Sequence, residues 1–327
     1  MIDVLELLKD TGAYRMIKSD KENNTLSHAY LILTADQKFL SEYVNVLVRL
    51  IACGESQPCL KCRTCRLIQN NNHPDVYFYP TEGETVLTED VNALIAETYL
   101  KPVESDKKIF VILNAQTMNA SSQNKILKTL EEPPKNVHII IGSTSEFPLL
   151  PTVMSRVKKL EIPTFTPEKI VSALKEDCPD IERLKNAVAC GDGTLGRALQ
   201  LYGDQTLLKL TDFAVDLLVN MKSSAEILRY QAIFNKEKFD VSDFLSVLEL
   251  LLRDLLVYYQ GKPELVSNST AFEKLKRAER FNTGALLYAL ERITEAKKRK
   301  KFNANQQMLL DWLFFQILEG KYKWQKL

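Results

Sequence analysis

Asn119-Ala-Ser-Ser-Gln-Asn-Lys-Ile-Leu-Lys-Thr-Leu-Glu-Glu-Pro133-Pro134, followed by Val137-His-Ile-Ile-Ile-Gly-Ser-Thr144, reads as a helix, a sharp stop and a strand. Ser121 or Ser122 is the expected N-cap, because a side-chain hydroxyl accepts the unpaired N–H groups of a first turn. Ile126, Leu127 and Leu130 share one face at helical spacing. Pro133-Pro134 ends the helix, since proline lacks the N–H and crowds the preceding turn. The β-branched run Val137–Ile141 then predicts a buried strand.

The same alternation extends toward the N-terminus. Ala29–Leu33 is a short apolar strand, and Phe39–Ile51 follows with Phe39, Val44, Leu47, Val48 and Ile51 at helical steps. Asp75–Tyr79 reads as a second strand. Thr88 is the expected cap of a helix reaching Leu100, with Glu89 and Asp90 favourably placed in its first turn. Lys108–Leu113 is a third strand, and a further strand follows Arg156. Strands separated by helices mean βαβ units and a largely parallel sheet. After Pro163 the strand signals stop. Pro167–Tyr202 reads as a small helical unit broken at Gly191-Asp192-Gly193, and long amphipathic helices follow, clearest at Phe244–Tyr259 and Gln306–Leu318. The apolar stripe Phe244, Val247, Leu248, Leu251, Leu255 and Tyr258 is read as helix–helix core. The expected fold class is therefore α/β plus all-α, divided as 1–165, 166–204 and 205–327.

Four cysteines interrupt the first α/β unit. Cys53, Cys59, Cys62 and Cys65 have the spacing Cys-x5-Cys-x2-Cys-x2-Cys, with two interlocked hooks and one further thiol. Four thiolates suit tetrahedral zinc and leave no coordination position for water, so the expected role is structural. The alternative leaves Cys53 as a buried thiol, with zinc absent or His73 as fourth ligand. Cys178 and Cys190 stand alone. No apolar leader follows a basic start and no run of ~18 apolar residues occurs, which predicts a cytoplasmic chain whose thiols stay reduced. A hydrophobic content of 45% with 26% charged residues is that of a globular protein. The net charge of +1 argues against coating nucleic acid by bulk charge. A local basic run, Lys297–Lys301, leaves open a contact with DNA phosphates beside its reading as a solvated helix face.

The segment after the first strand is where a phosphate-binding loop would stand. It reads Thr34-Ala35-Asp36-Gln37-Lys38-Phe39-Leu40-Ser41. Phosphate loops use glycines so that backbone N–H groups can approach the ligand, and a lysine to neutralise it. Here no glycine occurs, Phe39 stands in place of the last one, and Leu40 replaces the lysine. The third strand ends Ile112-Leu113-Asn114, where neither Leu113 nor Asn114 supplies a carboxylate for Mg²⁺ or a base. Two readings stay open on these residues alone: a nucleotide site that has lost its parts, or a doubly wound sheet that never had one.

The stretch from Asn119 to Val157, completed by Leu149-Leu-Pro-Thr-Val-Met-Ser155-Arg156-Val157, resembles the clamp-loader branch of the AAA+ family. Asn124 with Leu127–Pro134 matches its Leu-Lys-Thr-Leu-Glu-Glu-Pro-Pro helix. Ser155-Arg156-Val157 matches its Ser-Arg-Cys motif, with Val157 departing from the third position. His28-Ala-Tyr-Leu and the four cysteines also fit. The likeness covers residues 26–202 well and continues weakly over Arg299–Asp311; the segment before Asn24 matches poorly and is assigned no role. The resemblance implies an AAA+ parallel-sheet domain with a zinc module at about 53–65, a small helical lid domain and a C-terminal collar domain. It implies a subunit that binds no ATP, with structural zinc. That subunit would act as stator and as arginine-finger donor, Arg156 with Ser155 completing the ATP site of a neighbour. Its implied partners are ATPase motor subunits and a delta-type subunit in a hetero-oligomeric ring, and through them the sliding clamp and primer–template DNA, as part of a DNA-directed DNA polymerase holoenzyme. Gly196-Arg197 resembles the family's second sensor, and Ser143-Thr144 its first; without a phosphate loop both lose that role, and a helix-cap or salt-bridge role suits Arg197 better.

Two rivals remain. An active AAA+ ATPase is opposed by the absent glycines, lysine and carboxylates. A zinc hydrolase of the nucleobase-deaminase type is suggested by Pro58-Cys59-x-x-Cys62, but His28 is followed by Ala29-Tyr30, so the required His-x-Glu is missing and the fourth thiol closes the metal.

Overall fold

A computed structural model describes residues 4–204, 206–267, 269–276, 281–301 and 304–323. Phe302 and Asn303 of the stretch Arg299–Asp311, and the side chain of Lys301, lie outside the described residues. The chain forms two compact units: residues 1–177 with Thr194–Gly196, and residues 178–193 with 197–327.

The first unit is built on five strands, β1 (Ala29–Thr34), β2 (Val76–Tyr79), β3 (Lys108–Ile112), β4 (Val137–Ser143) and β5 (Lys158–Ile162). They form one sheet in the order β2-β3-β4-β1-β5, with every pairing parallel. All residues of β1, β3 and β4 are buried, which explains their continuous apolar runs: both faces are covered. The helices are α1 (Val4–Lys9), α2 (Gly12–Glu22), α3 (Leu40–Ala52), α4 (Arg63–Gln69), α5 (Thr88–Thr98), α6 (Ala120–Glu131), α7 (Pro151–Met154) and α8 (Pro167–Leu174). One core layer joins Leu31, Phe110, Ile139 and Ile141 of the sheet to Leu94 of α5, Ile126 and Leu130 of α6 and Val153 of α7. α3 packs against β4, where a Cβ on Gly142 would come within 3.2 Å of Leu40 and Val44 side chains, so the bare glycine sets how closely they approach.

Three local expectations are corrected. Asn119, not Ser121 or Ser122, caps α6: its Oδ1 accepts from Ser122 N–H at 2.8 Å. α5 begins after Leu87 rather than after a Thr88 cap, because Asp90 Oδ2 reaches back to the Leu87 N–H at 2.9 Å, and it ends at Thr98 rather than Leu100. Thr88 instead lies inside the helix, its hydroxyl 2.9 Å from that of Ser122.

β2 starts at Val76, one residue later than expected; Asp75 O still accepts from Ile109 N–H of β3 at 2.9 Å, while its side chain serves a different loop. Its fully buried carboxylate accepts from Val103, Glu104 and Ser105 N–H at 2.6, 2.8 and 2.8 Å. Burial raises the carboxyl pKa, but the N–H groups of Val103, Ser105 and Glu104 outweigh it and hold the pKa below the ordinary value. A depressed carboxylate contributes stability above its unfolded pKa and loses it as pH falls through the folded one. Asp75→Asn should therefore lower stability at neutral pH and flatten the loss toward about pH 3, read from urea midpoints across that range. Parallel curves for the two proteins would refute this role.

The second unit is helical: α9 (Ile181–Ala189), the greater part of α10 (Leu195–Gly203), α11 (Thr206–Asn220), α12 (Ala225–Glu237), α13 (Val241–Tyr259), α14 (Ser269–Leu275), α15 (Thr283–Lys301) and α16 (Gln306–Lys323). The expected stripe of α13 is core at Phe244, Val247, Leu248, Leu251 and Leu255, which are buried, whereas Tyr258 is exposed, with one face of its ring against Phe272. Phe213 sits among Tyr230, Phe234, Phe239 and Phe244 with ring centroids 5.5–5.9 Å apart, an aromatic centre for the bundle. Cys190 is buried in the same core, and Cys178 is buried as well. No helix among the described residues is long and apolar enough to cross a membrane.

Candidate functional site

In a parallel sheet, ligands sit beyond the C-terminal strand ends, where connections run both ways from one strand. Here β1 lies between β4 and β5, so this crevice is lined by the turns after β1, β3 and β4. Gln37, from the loop after β1, donates to Asn114 Oδ1 at 2.7 Å and accepts from Gln116 Nε2 at 3.2 Å. Asn114, held in a left-handed conformation at the end of β3, also donates to Glu84 O at 3.1 Å. Gln116 Oε1 lies 3.0 Å from Ser143 Oγ and accepts from Thr144 N–H at 3.2 Å. The turns after β1, β3 and β4 are thus joined by neutral amides and a hydroxyl. This lattice offers no carboxylate to Mg²⁺ and no cation to phosphate.

Below it, Thr34, Phe39 and Leu40 are buried and Ser41 is exposed; Leu40 and Phe39 continue into the α3 core rather than facing a ligand. Asp36 is also buried. Its Oδ1 accepts from Phe39 N–H at 3.2 Å, and its Oδ2 from Tyr43 Oη at 3.1 Å and Gly196 N–H at 3.0 Å. Sequence reasoning did not single out Asp36 or Gln116. The only signal was an acidic residue inside a loop otherwise suited to an anion.

Arg156 follows α7 and is partly exposed. Its guanidinium pairs with Glu131 at 2.5 Å and donates to Thr152 O at 2.7 Å and to Ser155 Oγ at 3.1 Å. Ser155 Oγ lies 3.0 Å from Thr152 O. Glu131 belongs to the Leu-Glu-Glu-Pro-Pro end of α6, so the two motifs of the sequence meet in space. Arg197 pairs with Asp243 and donates to Gln200 Oε1 at 3.0 Å, within the second unit. Three members of the basic run on α15 pair with carboxylates: Lys297 with Glu249 at 2.5 Å, Arg299 with Glu295 at 2.5 Å, and Lys300 with Asp240 at 3.6 Å. Arg299 also lies 4.1 Å over the ring of Trp312.

The four module thiols converge, with all Sγ atoms within 4.8 Å of one another. Cys59 and Cys65 Sγ are 4.0 Å apart, close to the roughly 3.8 Å edge of a tetrahedron with Zn–S bonds of ~2.3 Å. Both hooks carry the N–H···S bonds that favour thiolates: Cys62 N–H to Cys59 Sγ and Cys65 N–H to Cys62 Sγ, each 3.3 Å. The N–H of Cys62 leads the interactions that draw the Cys59 thiol down to about 6, while burial pushes Cys65 up to about 12. The residues fit a structural zinc ion, which would tie the end of α3 to the start of α4. His73 is not in the cluster; its Nδ1 accepts from Asp75 N–H at 3.1 Å. Lys21 of α2 braces the module by donating to Leu50, Cys53 and Glu55 carbonyls at 2.8, 2.5 and 2.6 Å. This gives a structural part to the segment before Asn24.

Comparison with known proteins follows the same division. The family model described as DNA polymerase III, delta subunit, matches residues 9–166, and that described as DNA polymerase III, delta subunit, C terminal, matches residues 210–318. The chain is similar to DNA polymerase III subunit delta' of Bacillus subtilis, with 27% identity over 316 residues, 94% of this chain and 95% of that one. It is similar to DNA polymerase III subunit delta' of Haemophilus influenzae, with 28% identity over 158 residues, 46% of this chain and 47% of that one. Among solved structures, a DNA polymerase III gamma subunit-related protein from Thermotoga maritima aligns at 17% identity with a TM-score of 0.43, covering 94% of this chain and 99% of that one. The chain belongs to the DNA polymerase III delta-subunit family.

Proposed function

We propose that this family member is a subunit of the DNA polymerase III clamp loader that binds no nucleotide and serves as stator, donating Arg156 to the ATP site of a neighbouring motor subunit. The observation that carries the first part is the lattice Gln37–Asn114–Gln116–Ser143 across the nucleotide crevice. An amide lattice cannot bind Mg²⁺·ATP with useful affinity, since the triphosphate charge needs cations and free N–H groups. The second part rests on Arg156, which is already paired with an anion, Glu131, at a partly exposed position. A γ-phosphate is a stronger partner for the same planar fork, and a bidentate guanidinium stabilises the charge that develops on phosphoryl transfer. Ser155 orients the guanidinium and takes no part in bond making.

The remaining parts of the proposal follow the sequence division. Residues 166–204 form a small helical domain and residues 205–327 the domain that assembles with other loader subunits in the cytoplasm. Cys53, Cys59, Cys62 and Cys65 hold one structural zinc. Sliding clamp and DNA are reached through the complex. The active-ATPase alternative is decided by calorimetric titration of the isolated chain with Mg²⁺·ATP. No heat of binding is expected up to about millimolar ligand, weaker than ~4 kcal/mol of binding free energy. Micromolar binding would overturn the stator reading.

A further inference from the structure

Asp36 is the one acidic residue in the turn that leaves β1, and it points inward. Its carboxylate collects the Phe39 N–H at the entry to α3, the Gly196 N–H in the first turn of α10, and the Tyr43 hydroxyl from the second turn of α3. The turn itself is closed by the Asp36 N–H donating to Thr34 Oγ1 at 3.2 Å. Two helix starts therefore aim their N–H groups at one buried oxygen pair, the arrangement by which proteins hold phosphate. Gly196 is required for the approach: a Cβ there would lie 2.5 Å from Asp36 Oδ1 and 2.6 Å from Lys38 Cβ.

We propose that Asp36 is a built-in anion, a positioning residue that takes the place of a bound phosphate and holds the Thr194–Gly196 turn against the β1–α3 loop without nucleotide. In a nucleotide-dependent machine these N–H groups would be satisfied only when ligand arrives, so the turn would order and loosen with each cycle. Here the covalently attached carboxylate is present at effectively unlimited concentration, and the turn stays ordered. The inference deepens the stator reading and rests on it for its purpose, but its test does not use the complex.

The test compares hydrogen exchange in the full-length chain with Asp36→Ala and Asp36→Asn. In both variants the segments 36–43 and 194–203 should exchange about tenfold faster or more, since hydrogen bonds to a charged group are lost, while the β4 amides keep their protection. Tens of millimolar phosphate should slow exchange again in Asp36→Ala, where the built-in anion is gone. It should leave Asp36→Asn, where an amide stands in its place, and the wild type unchanged. Unchanged exchange in Asp36→Asn would overturn the proposal, and so would a loosened Asp36→Ala that phosphate does not tighten, because a merely structural carboxylate gives no anion rescue. Should Asp36→Ala not fold, its refolding in phosphate decides in the same sense. Anion rescue beside wild-type ATP binding would sink the stator reading and leave the role of Asp36 standing.

Discussion

Arg156→Ala is expected to leave the chain folded and able to join a clamp loader, and to lower ATP turnover at the site it faces by about 10³-fold or more. The side chain is partly exposed and its partners are Glu131, Ser155 and a main-chain carbonyl, so its loss leaves no buried charge unpaired. The cost falls on a neighbour's transition state, where an ammonium cannot reproduce the guanidinium fork, so Arg156→Lys should rescue poorly. The measurement is DNA- and clamp-stimulated ATPase and clamp loading by complexes rebuilt with each variant. If the interfaces fire independently, the loss in the whole complex is partial; if they fire together, it is complete. Glu131→Gln supplies a control with the opposite sign, since it frees the guanidinium without removing it and should not lower turnover. Wild-type turnover with Arg156→Ala would reduce Arg156 to a surface arginine and leave the stator role without a catalytic contribution.

The second large effect concerns the metal. Native protein should contain one zinc per chain, and its removal should unfold the Cys53–Gln69 module while the parallel sheet persists. Structural zinc bound by thiolates contributes apparent free energies of about 10–16 kcal/mol in small peptides, strongly dependent on pH, and that energy is folding energy for the segment it closes. Here the segment is small, and besides the metal it is held by the Lys21 contacts to carbonyls of Leu50, Cys53 and Glu55, the Arg63–Glu104 pair, the Asn45 bond to Ile68 O and the packing of α4 on α3. Cys62→Ser removes a metal ligand while its hydroxyl can still cap the Cys65 N–H, so any loss should come from the metal alone and act like chelation. Metal must displace protons from the thiols, so zinc should be released as pH falls and retained as it rises. Metal analysis with limited proteolysis at Lys61 and Arg63 reads both consequences. A metal content near zero with the module protected from protease would mean that the cluster is a set of packed thiols.

Much of this architecture was readable residue by residue. β1, β3 and β4 announced themselves because strands buried on both faces must be apolar along their whole length. The convergence of the four thiols was readable because their spacing in the chain brings all four Sγ atoms within reach of one point. The absence of glycines from the turn after β1 was readable directly from the chain. Helix boundaries were less so. Whether Asn119 or a following serine caps α6, and whether Thr88 or the reaching Asp90 starts α5, depends on side-chain rotamers that neighbours select.

What the sequence by itself determined was the set of local elements, the spacing of the four thiols and the residue types that line the crevice beyond the strand ends. What only the tertiary structure decided was what fills that crevice. Gln37 meets Asn114 and Gln116 across separations of 77 and 79 residues, and Asp36 meets Gly196 across 160. No spacing rule predicts such pairs. They exist because the strand order β2-β3-β4-β1-β5 brings the ends of β1, β3 and β4 to one edge, and because a buried amide or carboxylate in that position must find a partner or lose the free energy of its hydration.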